Sequence, residues 1–428
     1  MLSYSKKNSF FLFILNKNII FVFYNFMTKK KNILIALFLR KRKKNESFFK
    51  YAIGLIHLWL GLLSSIVICI ICLTGCLYAF KNQITDLYNY DKVFLKTHSN
   101  STNIDEIQKY FSEQDKELNQ LVIPDDKDRS WSIYYTDKNN NSHFTYFDPY
   151  LKKELGASDD TLTPFFRTVI GLHKNLLLGD FGRQIVGVSV LIFLLLLFSG
   201  LILWFPKKLK FLKQGLTIKF NSKFERLNYD LHNVLGFYAG IFLTIIAITG
   251  LYITYPWVKN TIITSLGGES IHQIKTDSTT QKDNTFAQLM QDMLERQHEK
   301  SDPKYPSLPL SQIIHKTNQH LNYTGTLSIT MPNSENPRYT IVKINSENWL
   351  NALLPDEISF NKKGELKTKD LFLEKPLHQQ FISLSRPLHT GKILGLPGII
   401  LYFFASLIGF ILPITGFIIW WNRVKKQI

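Results

Sequence analysis

The stretch Tyr51–Phe80, YAIGLIHLWLGLLSSIVICIICLTGCLYAF, decides the fold. It contains no Asp, Glu, Lys or Arg. About 20 apolar residues in helix cross a bilayer core, and this stretch exceeds that length. Three more have the same character: Gln184–Phe205, Leu231–Tyr255 and Gly398–Trp421. The chain between them is polar. A mean hydropathy of −0.02 therefore averages two unlike kinds of sequence. One uniformly soluble globule is excluded for this chain of 428 residues.

The formal charge is +18, from 51 Lys+Arg against 33 Asp+Glu. Its excess lies beside the apolar blocks, in LRKRKK (39–44), PKKLKFLKQ (206–214) and NRVKK (422–426). That placement argues against a nucleic-acid partner and for a lipid bilayer. Positive flanks stay on the cytoplasmic side, so both termini are expected inside and the loops 81–165 and 257–380 outside. The loop 81–165 carries 15 acidic and 10 basic residues, which suits the outer side. The apolar run Phe10–Phe26 is broken by Asn16, Lys17 and Asn18 and lacks a small-residue cleavage site. It reads as neither a span nor a signal peptide, and Met27 is an alternative start. The three cysteines, Cys69, Cys72 and Cys76, all lie inside the first span, where small apolar packing is the expected role.

The spans repeat. In the first, His57 precedes Gly61 by 4 residues and Thr74–Gly75 by 17 and 18. In the third, His232 precedes Gly236 by 4 and Thr249–Gly250 by 17 and 18. Ahead of the second span, His173 precedes Gly179, Gly182, Gly200 and Trp204 by 6, 9, 27 and 31. His389 precedes Gly395, Gly398, Gly416 and Trp420 by the same four offsets. The chain reads as a duplicated unit of helix, outward loop, histidine and helix, its halves related by an axis along the membrane normal.

Each outward loop reads as a small α+β module. The first has a helix over IDEIQKYFSEQDKEL (104–118) and strands around LVIP, SWSIYYT and HFTYFDPY. The second has helices over TFAQLMQDMLERQ (285–297) and LSQIIHKTNQH (310–320), then strands GTLSITMP, RYTIVKI and DEISF. Neither loop carries a nucleophile motif or a phosphate loop, and no G-x-G-x-x-G occurs in the chain. The fold class is an α-helical membrane protein, a four-helix bundle built from two tandem repeats with two extracytoplasmic α+β modules. Its segments are 1–50 (basic, cytoplasmic), 51–80 (first span), 81–165 (module), 166–205 (outer-face His segment and second span), 206–230 (basic loop), 231–256 (third span), 257–380 (second module), 381–421 (outer-face His segment and fourth span) and 422–428 (tail).

The histidines carry the chemistry. His57 and His232 open spans that start inside; His173 and His389 precede spans that start outside. One pair therefore falls near each face, about 27 Å apart along the helix from histidine to Thr–Gly step. An imidazole at the membrane is a functional candidate. Two neutral imidazoles can complete the axial positions of haem iron, and Gly61 and Gly236 would let a flat ring approach. Zn²⁺ fits less well, because no carboxylate or thiolate accompanies either pair. Purely structural histidines are the plain alternative, and the Thr–Gly and Ser–Gly steps read as small-residue helix packing. Trp204, Trp257, Trp420 and Trp421 read as interfacial anchors. His378 in PLHQQF is a rival outer ligand without a counterpart in the first half. The remaining histidines lie in polar loops.

Taken together, IHLWLGLLSSIVICIICLTGCLYAF, LHKNLLLGDFGRQIVGVSVLIFLLLLFSGLILWFPK, YDLHNVLGFYAGIFLTIIAITGLY and RPLHTGKILGLPG…ITGFIIWW resemble the PepSY-associated transmembrane family of bacterial inner-membrane proteins. The resemblance covers roughly residues 45–428. YFDPYLKKELG resembles the end of a PepSY module, with Lys152–Lys153 where a turn glycine is usual. Members are described as iron-regulated membrane proteins, some of them ferrisiderophore reductases. The resemblance implies a haem-b-containing oxidoreductase, with two haems expected. His57, His173, His232 and His389 take the ligand roles by position. A separate cytoplasmic electron donor and a periplasmic ferric complex such as a ferric siderophore are the implied partners. Two rivals stand beside it: a membrane-anchored PepSY binding or regulatory protein without redox activity, and a transporter of the iron complex. Pro413 is the only mid-span proline, which weighs against the transporter.

Overall fold

The structure is a computed structural model and describes residues 42, 46–96, 103–269, 308–333, 336–347 and 354–426. The expected features at Phe10–Phe26, at Met27 and in the helix 285–297 lie outside the described residues. The helices that hold the histidine pairs and their seats or cover the sheet are α1 (Phe48–Ala79), α2 (Ile104–Ser112), α3 (Thr163–Asn175), α4 (Gly179–Trp204), α5 (Phe224–Thr254), α6 (Leu310–His320), α7 (Leu377–Thr390) and α8 (Gly395–Lys425). Among the described residues, four are long and apolar enough to cross a membrane: α1, α4, α5, and α8 with the short turn that leads into it. Each begins before its sequence-predicted span, and the first three end one residue short of it.

The chain forms two compact units. Unit 1 comprises residues 1–72, 188–244 and 407–428; unit 2 comprises 73–187 and 245–406. The four long helices contribute residues to both. In unit 1, Trp204 stacks on Phe237 at 4.0 Å between ring centres, and its Nε1–H donates to Gly215 O at 2.9 Å. This tryptophan is not a simple interfacial anchor, since it ties the basic stretch after α4 back onto α5.

In unit 2, segments of 81–165 and of 257–380 fold into a single antiparallel sheet of eight strands. The strands are β1 (Glu117–Ile123), β2 (Trp131–Thr136), β3 (Ser142–Asp148), β4 (Lys153–Gly156), β5 (Gly325–Thr330), β6 (Tyr339–Asn345), β7 (Pro355–Phe360) and β8 (Leu366–Asp370). Their order is β4-β3-β2-β1-β5-β6-β7-β8. The two modules expected from the sequence are thus the two halves of one sheet, joined where β1 pairs with β5. A row of opposed side chains runs straight across the seam: Thr145, Ile133, Leu121, Ile329, Ile341 and Ile358. All six are buried and point to the face that α2 and α6 cover with Ile107, Phe111, Leu310 and Ile313. The alternation in each strand places apolar side chains on that one face.

The helix predicted over 104–118 is shorter than expected. Asn103 caps α2 by accepting from Asp105 N–H, and the helix stops at Ser112. Asp115 then takes a left-handed conformation (φ 53°), and the strand begins at Glu117. The edge strands β4 and β8 escaped the sequence reading because KELG and LKTKD are short and polar, as edges tend to be.

Candidate functional site: two histidine pairs

The matched offsets of the sequence have structural causes. Between α3 and α4 the chain turns through left-handed residues Leu176, Leu177 and Gly179; between α7 and α8 it turns through Gly391 and Gly395. Gly182 and Gly398 open the way for a returning backbone. A Cβ on Gly182 would lie 1.8 Å from Asn175 O, and one on Gly398 would lie 2.1 Å from Gly391 O. These glycines let a histidine-bearing helix fold back tightly on the start of the following span. His173 sits in the last turn of α3 and His389 in the last turn of α7.

Within unit 1, the rings of His57 and His232 lie 6.4 Å apart between centres, with planes at 89°. Within unit 2, the rings of His173 and His389 lie 6.1 Å apart, with planes at 62°. The structure therefore brings together the two pairs that the sequence symmetry proposes. His378 does not join them. It sits in the first turn of α7, where its ring fills the space beside Gly268. His143 bonds Asp137, His315 bonds Gln319 and His320 packs near Phe360. His98, His272 and His298 lie outside the described residues.

Every histidine of the two pairs rests on a Ser/Thr–Gly step of another helix. His57 Nδ1 is 2.9 Å from Ser199 Oγ, and its Cε1 lies 3.3 Å from where a Cβ of Gly200 would be. His232 Nδ1 is 2.9 Å from Thr415 Oγ1, and its Cε1 lies 3.3 Å from that position on Gly416. His173 Nδ1 is 3.3 Å from Thr74 Oγ1, with Gly75 beneath its Cε1 at 3.4 Å. His389 Nδ1 is 2.9 Å from Ile246 O and 3.2 Å from Thr249 Oγ1, with Gly250 beneath its Cε1 at 3.0 Å. Burial lowers the pKa of the His389 imidazole.

Sequence reading located these steps as spacings but assigned them to helix packing. The Thr–Gly step of α1 serves His173, not the His57 of its own helix, so the spacing alone could not name its partner. A Cβ on Gly61 would lie 3.8 Å from Leu196 of α4, and one on Gly236 would lie 3.4 Å from Leu412 of α8. The three cysteines behave as packing residues. Cys69 and Cys76 direct their thiols to Phe410 O and Phe403 O, and Cys72 packs over Gly409.

The ring separations can be tested against a shared metal. A metal–nitrogen distance of about 2.0–2.1 Å on each side, plus about 1.1 Å from nitrogen to ring centre, gives about 6.2–6.4 Å for two opposed imidazoles. Both pairs fall close to that value. Structural zinc requires four protein ligands. Among the described residues no group of three or more His, Cys, Asp or Glu could hold a metal ion. The donor set therefore fits a metal whose remaining positions are filled by its own macrocycle, as in haem.

A membrane protein with four apolar helices, an eight-stranded extramembrane sheet and paired imidazoles is the class that fold and site define. The chain belongs to the family described as the PepSY-associated TM region, which matches residues 55–423. Among curated proteins none matches it.

Proposed function

We propose that this protein is a bacterial inner-membrane reductase that carries haem b, in two copies, and reduces a periplasmic ferric complex such as a ferric siderophore. The observation that carries the reading is the pair of imidazole separations, 6.4 and 6.1 Å, each near the value for bis-imidazole ligation. His57 and His232 would hold one haem, and His173 and His389 the other. Bound haem supplies one-electron chemistry at iron. In the overall reaction a cytoplasmic donor loses one electron for each Fe³⁺ converted to Fe²⁺.

The basic flanks at 39–44, 206–214 and 422–426 support cytoplasmic termini and a cytoplasmic position for His57 and His232. The sheet then faces the periplasm. The equal offsets and the four equivalent histidine seats support an origin by tandem duplication. The family match supports a membrane protein of the PepSY type.

The test is an absorption spectrum of detergent-purified protein, oxidised and dithionite-reduced, with pyridine haemochrome quantification. Sharp reduced bands of six-coordinate b haem at two per chain are expected. A colourless protein from haem-replete cells would overturn the reading and favour a redox-inactive PepSY anchor.

A further inference from the structure

Three of the hydroxyls beneath the imidazoles lie within hydrogen-bond reach of a carbonyl of their own helix, which can take their proton. Ser199 Oγ–H donates to Leu195 O at 2.7 Å. Thr415 Oγ1–H donates to Ile411 O and Leu412 O, both at 3.0 Å. Thr249 Oγ1–H donates to Ile245 O at 2.6 Å. A hydroxyl that has donated can only accept from the ring it faces. The ring must then present Nδ1–H. At His389 a second acceptor makes the same demand, because Ile246 O at 2.9 Å cannot donate at all. With the proton fixed on Nδ1, the lone pair lies on Nε2. The adjacent glycine lets the Cε1 edge sit close against the helix, which limits ring rotation.

We propose that Ser199, Thr415 and Thr249 are positioning residues that lock His57, His232 and His389 as the Nδ1–H tautomer and make Nε2 an electron-rich ligand. The inference rests on the haem reading for its redox consequence, but not for the tautomer. An accepted Nδ1–H bond raises ligand basicity and favours the ferric state, so each hydroxyl lowers the potential of the iron it serves.

Thr415→Val keeps the side-chain shape and removes the acceptor; Thr415→Ser restores it. In a redox titration of purified protein, Thr415→Val should raise the midpoint potential of one haem and leave the other unchanged. Thr415→Ser should return it to the wild-type value. Loss of that haem in Thr415→Val with retention in Thr415→Ser supports the same role, because outer-shell partners are worth about 10–100-fold in metal affinity. A Thr415→Val protein with wild-type potential and occupancy overturns the proposal, as does equal damage from the Val and Ser changes. Histidine ¹⁵N resonances of haem-free protein provide the independent arm. Nδ1–H signals at His232 and His389 are expected, and Nε2–H signals there would sink the tautomer assignment. A wild-type protein that binds no haem yet shows Nδ1–H would overturn only the haem reading.

Discussion

His57 and His232 are 175 positions apart in the chain, and their rings face each other at 6.4 Å with planes at 89°. An imidazole can turn about its bond to a metal, so perpendicular ring planes would be compatible with one centre held by both histidines. His57→Ala and His232→Ala should each lower haem content from two per chain to one and leave the second centre spectrally intact. His173→Ala and His389→Ala should remove the other. Pyridine haemochrome assays on the four variants check this, and loss of both centres from any single change would contradict independent pairs.

The glycine beneath His389 is the tightest of the four seats. A Cβ on Gly250 would lie 3.0 Å from His389 Cε1, against 3.4 Å for Gly75 and His173. Gly250→Ala should therefore cost about 1–3 kcal/mol, the range for overpacking, and Gly75→Ala less. Thermal melting with haem quantification should place Gly250→Ala below Gly75→Ala in both stability and occupancy.

Leu121 and Ile329 oppose each other across the β1–β5 seam, and both are fully buried. Leu121→Ala should cost about 2–5 kcal/mol. Because the core is continuous, hydrogen exchange should accelerate in β6 and β7 as well as in β2 and β3. Acceleration confined to 117–156 would mean that the two halves fold independently.

Trp204→Leu removes an aromatic stack worth about 0.5–1.5 kcal/mol and a hydrogen bond of similar size. The lysines at 207, 208, 210 and 213 should then become trypsin-sensitive roughly tenfold faster, since each 1.4 kcal/mol is a factor of ten in opening. Timed proteolysis in detergent measures the ratio, and an unchanged rate would show that other contacts hold the stretch.

Asp137 closes the β2–β3 hairpin. The backbone N–H of Asn141 and the His143 imidazole hold its carboxyl down to about 2. A depressed carboxylate stabilises the fold above its ordinary pKa, about 3.9, and that contribution fades as pH falls from there toward 2. Wild-type hairpin amides should lose protection over that interval, measured relative to the intrinsic exchange rate, and Asp137→Asn should show no such step.

The four spans were legible because their apolar runs leave no other solution in 428 residues. The histidine pairing was legible because equal offsets imply an axis, and an axis pairs equivalents. What served each histidine was not legible. Ser199 and Thr415 are ordinary small residues until the partner helix is placed beside them. The joining of the loops was hidden for a related reason: β1 and β5 each show the alternation of a strand, and nothing in Leu121 or Ile329 says which neighbour it will meet.

The seats also impose an order on biogenesis. His57 meets Ser199 142 residues later, whereas His232 must wait 183 residues for Thr415. At about 5–20 residues per second, that second wait lasts on the order of 10–40 s of synthesis. During it the first imidazole is already seated, while the ring it faces has no fixed orientation. A chain that ends before α8 therefore holds Ser199 for His57 but not yet Thr415 for His232.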